Sequence, residues 1–173
     1  MLLIVAFLRA INGGKRRVKM ADLKQHFTGM GLTGVKTFIA SGNVVFDDPG
    51  GPRDALETRI EAGLLKSLGY EFDTFVRSVD DVAALTAPEG LAPVDKQTLR
   101  VGFLKGSPPA TVLAGLQTDD DVLTIIGTEM FWLCRTNIRN SRITGAKLEW
   151  ALGGPTTMRS MKTVNRMAVK FGH

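Results

Sequence analysis

Hydrophobic and polar positions along the first half of the chain follow two periods, one typical of strands and one typical of helices. The unbroken apolar run at 2–8 predicts a buried strand, and the i, i+3, i+7 spacing that begins at Met20 predicts a helix that ends at Gly31. In order, this half is predicted to form a strand at 2–8, a helix at 19–31, strands at 35–40 and 43–47, a helix at 52–68 and a strand at 72–77.

The second half of the chain repeats this order of elements after a short helix capped by Ser78 and a proline-containing loop at 87–93. The pattern predicts a strand at 98–104, a helix after Ser107-Pro108, strands at 121–126 and 129–134 around a Gly127-Thr128 turn, and helices at 143–152 and 158–171. No residue-level repeat accompanies the order.

The order βαββα therefore occurs twice, which predicts an α+β protein. We expect two ferredoxin-like half-domains, each an antiparallel sheet with helices packed on it. The predicted division is an N-terminal half at 1–77, a short helix and linker at 78–97, and a C-terminal half at 98–173 that carries basic helices.

Charge is distributed unevenly along the 173 residues, although the net value is only +5. Residues 1–21 hold five basic side chains and no acidic one, and residues 135–173 hold eight basic side chains against Glu149 alone, so the middle of the chain is acidic. This uneven distribution of charge predicts that an anionic partner binds at the basic ends of the chain.

The residue counts exclude several classes of chemistry. Cys134 is the only cysteine, and His26 and the terminal His173 are the only histidines, so one chain has little material for a disulfide framework, a metal centre or a Ser-His-Asp triad. The apolar run at 2–8 is shorter than a membrane span. We expect a cytoplasmic protein with no metal, no cofactor and no membrane partner; its oligomeric state is open.

Three polar segments are candidate binding loops because each mixes glycine or hydroxyl residues with hydrogen-bond donors. Glycines let backbone N–H groups approach an anion, a helix that starts at Thr157 would add a positive dipole end, and arginine makes two-pronged contacts with phosphate or carboxylate. Taken alone, each segment is better explained as a turn or a helix cap, and it is the chemistry shared by the three that favours a binding site. The candidate residues are Arg9, Asn12, Gly13, Gly14 and Lys15; Ser41, Gly42 and Asn43; and Thr157, Arg159 and Thr163.

Three stretches near the N-terminus, at 8–15, 18–23 and 37–46, together resemble the domain of unknown function 1697 (DUF1697) family of bacterial proteins. Toward the C-terminus, residues 157–164 resemble the family segment Thr-x-Arg-Asn-Trp-x-Thr-Val, with Ser160 in place of Asn and Met161 in place of Trp. The resemblance implies a two-layer α/β fold with ferredoxin-like halves. It implies no established activity.

Three functions remain open. The first is binding of a phosphate-bearing ligand, a nucleic acid or nucleotide, through clustered Lys and Arg. The second is an enzyme for a small phosphorylated or carboxylated metabolite, although no general base stands out: Asp22 suits a helix dipole, and Asp119, Asp120 and Asp121 are predicted to lie in a solvated loop. The third is an interaction module that associates with itself. The first hypothesis requires Arg9 and Arg159 to meet around one pocket.

Overall fold

The computed structural model describes residues 2–11, 17–39 and 42–172. The chain divides into two units: the first unit is Met1–Ala84 together with Met167–His173, and the second unit is Leu85–Arg166. The division after Ala84 falls within the segment 78–97.

The first unit is built around a four-stranded antiparallel sheet in the order β2-β3-β1-β4, so that β1 is a central strand. Its elements are β1 (Leu3–Leu8), α1 (Met20–Gly29), β2 (Lys36–Thr37), β3 (Asn43–Asp47), α2 (Arg53–Leu68), β4 (Thr74–Ser78) and α3 (Val79–Ala83). This is the βαββαβ order of a ferredoxin-like arrangement. Antiparallel pairing of Phe7 with Asn43 brings the end of β1 next to the start of β3.

One core of the first unit lies between one face of this sheet and the two long helices. Alternate residues of β1 point into it, and the predicted apolar stripes of α1 and α2 face them. Its members include Ile4, Ala6 and Leu8 from β1, Leu23 and Phe27 from α1, and Leu56, Ile60 and Leu64 from α2. The two long helices of this unit therefore form where the 3.6-residue period predicts them.

Local sequence signals also mark the starts and ends of these helices, as predicted. Gly31 has φ +87° directly after α1, and Pro52 precedes the first turn of α2, which contains Asp54. The Ser78 hydroxyl accepts a hydrogen bond of 3.0 Å from the backbone N–H of Asp81 and so caps α3.

The second unit repeats the sheet of the first unit with the order β6-β7-β5-β8. Its elements are β5 (Thr98–Leu104), a 3₁₀ helix at Ala110–Leu116, β6 (Asp121–Ile126), β7 (Glu129–Cys134), a 3₁₀ turn at Ile138–Asn140, α4 (Gly145–Leu152) and β8 (Thr156–Ser160). The last helix, α5 (Met161–Phe171), begins in the second unit, and its residues from Met167 onward belong to the first unit. The fold is thus α+β with two ferredoxin-like halves, as predicted.

Two predicted elements have different bounds in the structure. Residues 156–160 form the strand β8, antiparallel to β5, and α5 begins only at Met161, so Thr157 does not start a helix. The β-branched side chains of Thr156 and Thr157 fit a sheet surface better than a helix end. The predicted strand at 35–40 is reduced to two residues because Ile39 takes φ +54°, outside the strand region.

Candidate functional site

The loop after β1 and the loop before β3 are packed together at one end of the sheet. The backbone N–H of Leu8 donates to the carbonyl of Gly42 at 2.9 Å. A Cβ atom added to Gly42 would lie 2.5 Å from Cγ2 of Ile11, and Gly42 has φ +79°. Both the close approach and the left-handed backbone require glycine here. We call the described residues 9–11, 38–39 and 42–43 the β1-end site.

Two non-glycine residues of the β1-end site have left-handed backbones. Ala10 has φ 59° and Ile39 has φ 54°. A β-branched residue rarely takes this conformation, which costs free energy and persists only where the surroundings fix it. Such residues cluster at ligand sites, and Ile39 is also partly exposed, with 37% of its surface accessible.

Asn43 closes the hairpin between β2 and β3. Its side-chain Nδ2 donates to the carbonyl of Phe38 at 3.0 Å, and the N–H of Phe38 donates to the carbonyl of Asn43 at 3.0 Å. The Asn43 side chain is almost fully buried. Its amide nitrogen therefore fixes the shape of the loop that carries Ile39.

Arg9 lies at the rim of this site beside a carboxylate. Its Nη1 is 3.8 Å from Oδ2 of Asp73, and its backbone N–H donates to the Asp73 carbonyl at 2.9 Å. Both side chains are more than one third exposed, so the pair is weak and screened by solvent. Asp73 partly offsets the charge that Arg9 brings to the site.

The N-terminal end of α1 follows Arg9 along the chain and carries positive potential of its own. Lys19 is the N-cap residue, and its own side chain makes no capping hydrogen bond. The first N–H groups of a helix and its dipole form an anion-binding end. Arg17 and Lys19 are exposed just before the helix, and Asp22 lies in its first turn, where a carboxylate favours the dipole.

Lys170, near the end of α5, is a cation of this unit that the sequence reasoning did not select. Its Nζ lies 5.4 Å from the ring centroid of Phe38 and 5.5 Å from that of Phe171. The two rings pack edge to face with centroids 5.5 Å apart. The available signal was the i, i+4, i+8 series of Lys162, Arg166 and Lys170, which is exposed along α5.

Thr157 and Arg159 lie on β8 in the second unit. Nη1 of Arg159 donates at 2.8 Å both to Oγ1 of Thr157 and to the carbonyl of Met158. Burial lowers the pKa of Arg159 to about 10, so the guanidinium stays charged at neutral pH. Arg9 belongs to the first unit, and its predicted meeting with Arg159 stays a prediction.

The start of α5 contains Thr163 and the two residues that depart from the family segment, Ser160 and Met161. The Ser160 hydroxyl accepts a hydrogen bond of 3.2 Å from the N–H of Thr163 and lies 3.1 Å from the Thr163 hydroxyl. Ser160 is therefore a helix cap, a role that Asn fills equally well. Met161 is buried at the next position. The departure at Ser160 therefore concerns helix capping, and the departure at Met161 concerns packing.

The remaining predicted site residues, Asn12, Gly13, Gly14, Lys15 and Ser41, lie outside the described residues.

Asp121 corrects the prediction that the three successive aspartates form a solvated loop. It begins β6 and is buried, with its carboxylate accepting hydrogen bonds from Nε1 of Trp132 at 2.9 Å and from the Ser141 hydroxyl at 3.0 Å. It borders a polar cavity of about 470 Å³ that Asn140, Arg142 and Lys147 also line. Trp132, eleven residues away and buried, was the missed signal because a buried indole N–H needs an acceptor.

A second cation missed by the sequence reasoning is Arg100 on β5. Its Nε is buried and makes no hydrogen bond within the described ranges. The sheet register pairs Arg100 with Trp132 on one side and with Ser160, the cap of α5, on the other.

Among residues 2–11, 17–39 and 42–172, no three His, Cys, Asp or Glu side chains are grouped so as to hold a metal ion. Over the same ranges, every helix is too short or too polar to cross a bilayer.

Comparison with known proteins supports the fold and the family. The conserved bacterial protein SP0830 from Streptococcus pneumoniae has a similar structure, with a TM-score of 0.74, 24% sequence identity and coverage of 97% of each chain. A search of curated proteins found no match. The family model described as "Protein of unknown function (DUF1697)" matches residues 1–131, which include the three N-terminal stretches and stop before the segment 157–164. The chain therefore belongs to the DUF1697 family.

Proposed function

We propose that this protein binds a phosphate-bearing ligand, a nucleotide or nucleic acid, at the β1-end site. The observation that carries the proposal is the packing of Gly42 against Ile11, which holds the described parts of two loops, residues 9–11 and 42–43, side by side at one end of β1. Turns that contain glycine and left-handed residues commonly present backbone N–H groups to anions.

The charge around the site suits a phosphate. Arg9 lies in the site, Arg17 and Lys19 are exposed just before α1, and Lys170 lies over the ring of Phe38. The N-terminal end of α1 adds dipole potential to these side chains. Asp73 opposes them, but its partial exposure reduces its effect.

The test is a binding titration by fluorescence anisotropy with labelled nucleotides and a labelled single-stranded oligonucleotide at several salt concentrations. We expect Arg17→Ala and Lys170→Ala each to weaken binding and to reduce its salt dependence, because each removes a phosphate contact. Lys24→Ala is the matched control, since Lys24 is an exposed cation in the middle of α1.

Equal affinities for the wild type, the two site variants and the control would contradict the proposal. Melting temperatures of all variants, measured without ligand, separate loss of binding from loss of folding. A ligand that binds the native state also raises the wild-type melting temperature, which gives a second readout of the same interaction.

A further inference from the structure

An exposed tryptophan marks a surface of the second unit that the β1-end site does not include. Trp150 lies on α4 with 87% of its surface accessible. It borders an apolar groove of about 600 Å³ between the 3₁₀ helix Ala110–Leu116 and α4, which Val112, Leu116, Ala146, Lys147 and Ala151 also line. A large aromatic side chain exposed beside an apolar groove is typical of a binding surface.

One cation, Lys147, lines this groove, and others precede it closely in the sequence. Residues 135–147 contain Arg135, Arg139, Arg142 and Lys147 and no acidic residue. Arg139 and Arg142 are exposed, and within the part of the chain that the structure describes neither guanidinium forms an ion pair. Nζ of Lys147 donates to the Arg142 carbonyl at 3.3 Å, which holds the ammonium close to this loop.

The apolar groove adjoins the polar cavity beside Asp121, because the two share lining residues. Leu116 and Lys147 line both, and Arg142 lines the polar cavity. A ligand that spans them needs a flat apolar part, an anionic part and hydrogen-bonding groups. The exposed carboxylates of Asp119 and Asp120, which also line the cavity, accept hydrogen bonds from amino or hydroxyl groups. A nucleotide unit of a single strand has all of these parts.

We propose that this surface binds single-stranded nucleic acid, with a base stacked on the indole of Trp150 and the adjoining phosphates on Arg142 and Lys147. Duplex bases hide their faces from an aromatic side chain, whereas a single strand presents them. The eight residues of α4 span about 12 Å, a length that suits one or two stacked bases rather than a long peptide helix.

The experiment measures binding of a fluorescently labelled single-stranded oligonucleotide of mixed sequence to the full chain. Trp150→Ala should weaken binding by about 5- to 150-fold, the effect of removing one stacking platform. Trp150→Phe keeps an aromatic face and should retain most of the affinity. Arg142→Gln should reduce the magnitude of the log–log salt slope by about 0.7, the value for one phosphate contact to a single strand.

Tryptophan emission gives a readout that loss of folding does not imitate. Stacking should quench Trp150, while Trp132 is 3% exposed and hydrogen-bonded to Asp121, so its emission should change little. The quench on adding oligonucleotide should therefore disappear in Trp150→Phe although this variant still binds.

Wild-type affinity in Trp150→Ala would overturn the inference, as would preference for duplex over single strand. So would Trp150-dependent binding of an acidic, apolar peptide in the absence of oligonucleotide binding. If Arg17→Ala abolishes oligonucleotide binding and Trp150→Ala leaves it unchanged, the inference fails and the proposed function stands. The reverse result supports the inference and contradicts the proposed function for this ligand.

Discussion

The indole N–H of Trp132 donates a hydrogen bond of 2.9 Å to the buried carboxylate of Asp121. These residues lie on neighbouring strands, β7 and β6, and the bond ties the start of β6 to the core of the second unit. A buried carboxylate that loses a hydrogen-bond donor keeps its desolvation cost. Removing the donor therefore destabilises the protein by more than the net contribution of a typical hydrogen bond.

Replacing Trp132 by Phe should therefore destabilise the protein by about 1–3 kcal/mol, because one oxygen of Asp121 loses its indole donor. Urea denaturation followed by circular dichroism measures the free energy of unfolding. Trp150→Phe is the matched control, since Trp150 is exposed and its replacement should change stability by less than about 0.5 kcal/mol. Equal losses in the two variants would show that the hydrogen bond does not contribute.

Gly42→Ala should destabilise the first unit more than a glycine replacement that meets only backbone strain. Gly69 also has a left-handed backbone, with φ +77°, but a Cβ there meets no atom within 4 Å. Gly69→Ala should cost about 1 kcal/mol, from strain alone. Gly42→Ala adds the contact with Ile11, and its excess loss in urea denaturation measures how tightly the two loops pack. Equal losses would mean that Ile11 moves aside freely.

Asp73→Asn should tighten phosphate binding at the β1-end site. The substitution keeps the shape of the side chain and removes the negative charge 3.8 Å from Arg9. Because both groups are partly exposed, we expect an increase in affinity of about two- to fivefold at low salt, which 0.5 M salt should largely remove. Titration of the wild type and the variant with a labelled nucleotide measures it, and weaker binding by the variant would contradict the prediction.

Asp48 should make stability depend on pH in the acid range. Hydrogen bonds from the Arg53 guanidinium and the Gly50 N–H hold the pKa of Asp48 below its ordinary value of 3.8. A carboxylate with a lowered folded-state pKa contributes stability that is present above the unfolded-state pKa and lost as pH falls through the folded-state value. The wild type should therefore lose stability below about pH 4.

In Asp48→Asn this contribution is missing at neutral pH, so the variant should be less stable than the wild type at pH 7 and closer to it at pH 3. Urea denaturation at both pH values provides the comparison. Asp54→Asn is a suitable control, because Asp54 is an exposed carboxylate near the same end of α2. A stability difference that is the same at both pH values would contradict the assignment.

Ser160→Ala should cost about 1 kcal/mol by leaving the Thr163 N–H without its cap, whereas Ser160→Asn should be nearly neutral. The comparison tests whether the residue at this position of the family segment acts through the start of α5. Thermal and urea unfolding of the three proteins measure it. A large loss in Ser160→Asn would indicate that the hydroxyl has a role beyond the cap.

The fold was predictable because each half carries clear periods and punctuation. The strands 98–104, 121–126 and 129–134 agree with the structure residue for residue, since they alternate or run apolar between Gly, Pro and Asp signals. β8 was missed because its five residues, between a glycine pair and a helix, match a capped helix start as well as a strand. Pairing with β5, a partner more than fifty residues earlier in the chain, decided between them.

The candidate site was only partly predictable. Short-range sequence signals identified Gly42 and Arg9 as loop residues, but the contact of Gly42 with Ile11 and the ion pair with Asp73 depend on strand pairing. Trp150 and Lys170 were not predictable as surface features for a related reason. Exposure of one helical side chain is set by what the rest of the fold leaves uncovered, which periodicity alone does not state.

The two-residue strand β2 bears on whether copies of this chain associate. It is the outermost strand on its side of the sheet, and Lys36 occupies one of its two positions. A long, flat edge strand presents a row of unpaired backbone N–H and C=O groups, with which a strand of a neighbouring molecule can pair. Because β2 ends at Thr37 and carries a charge, it is a poor template for such pairing, which lowers the tendency of this sheet edge to aggregate.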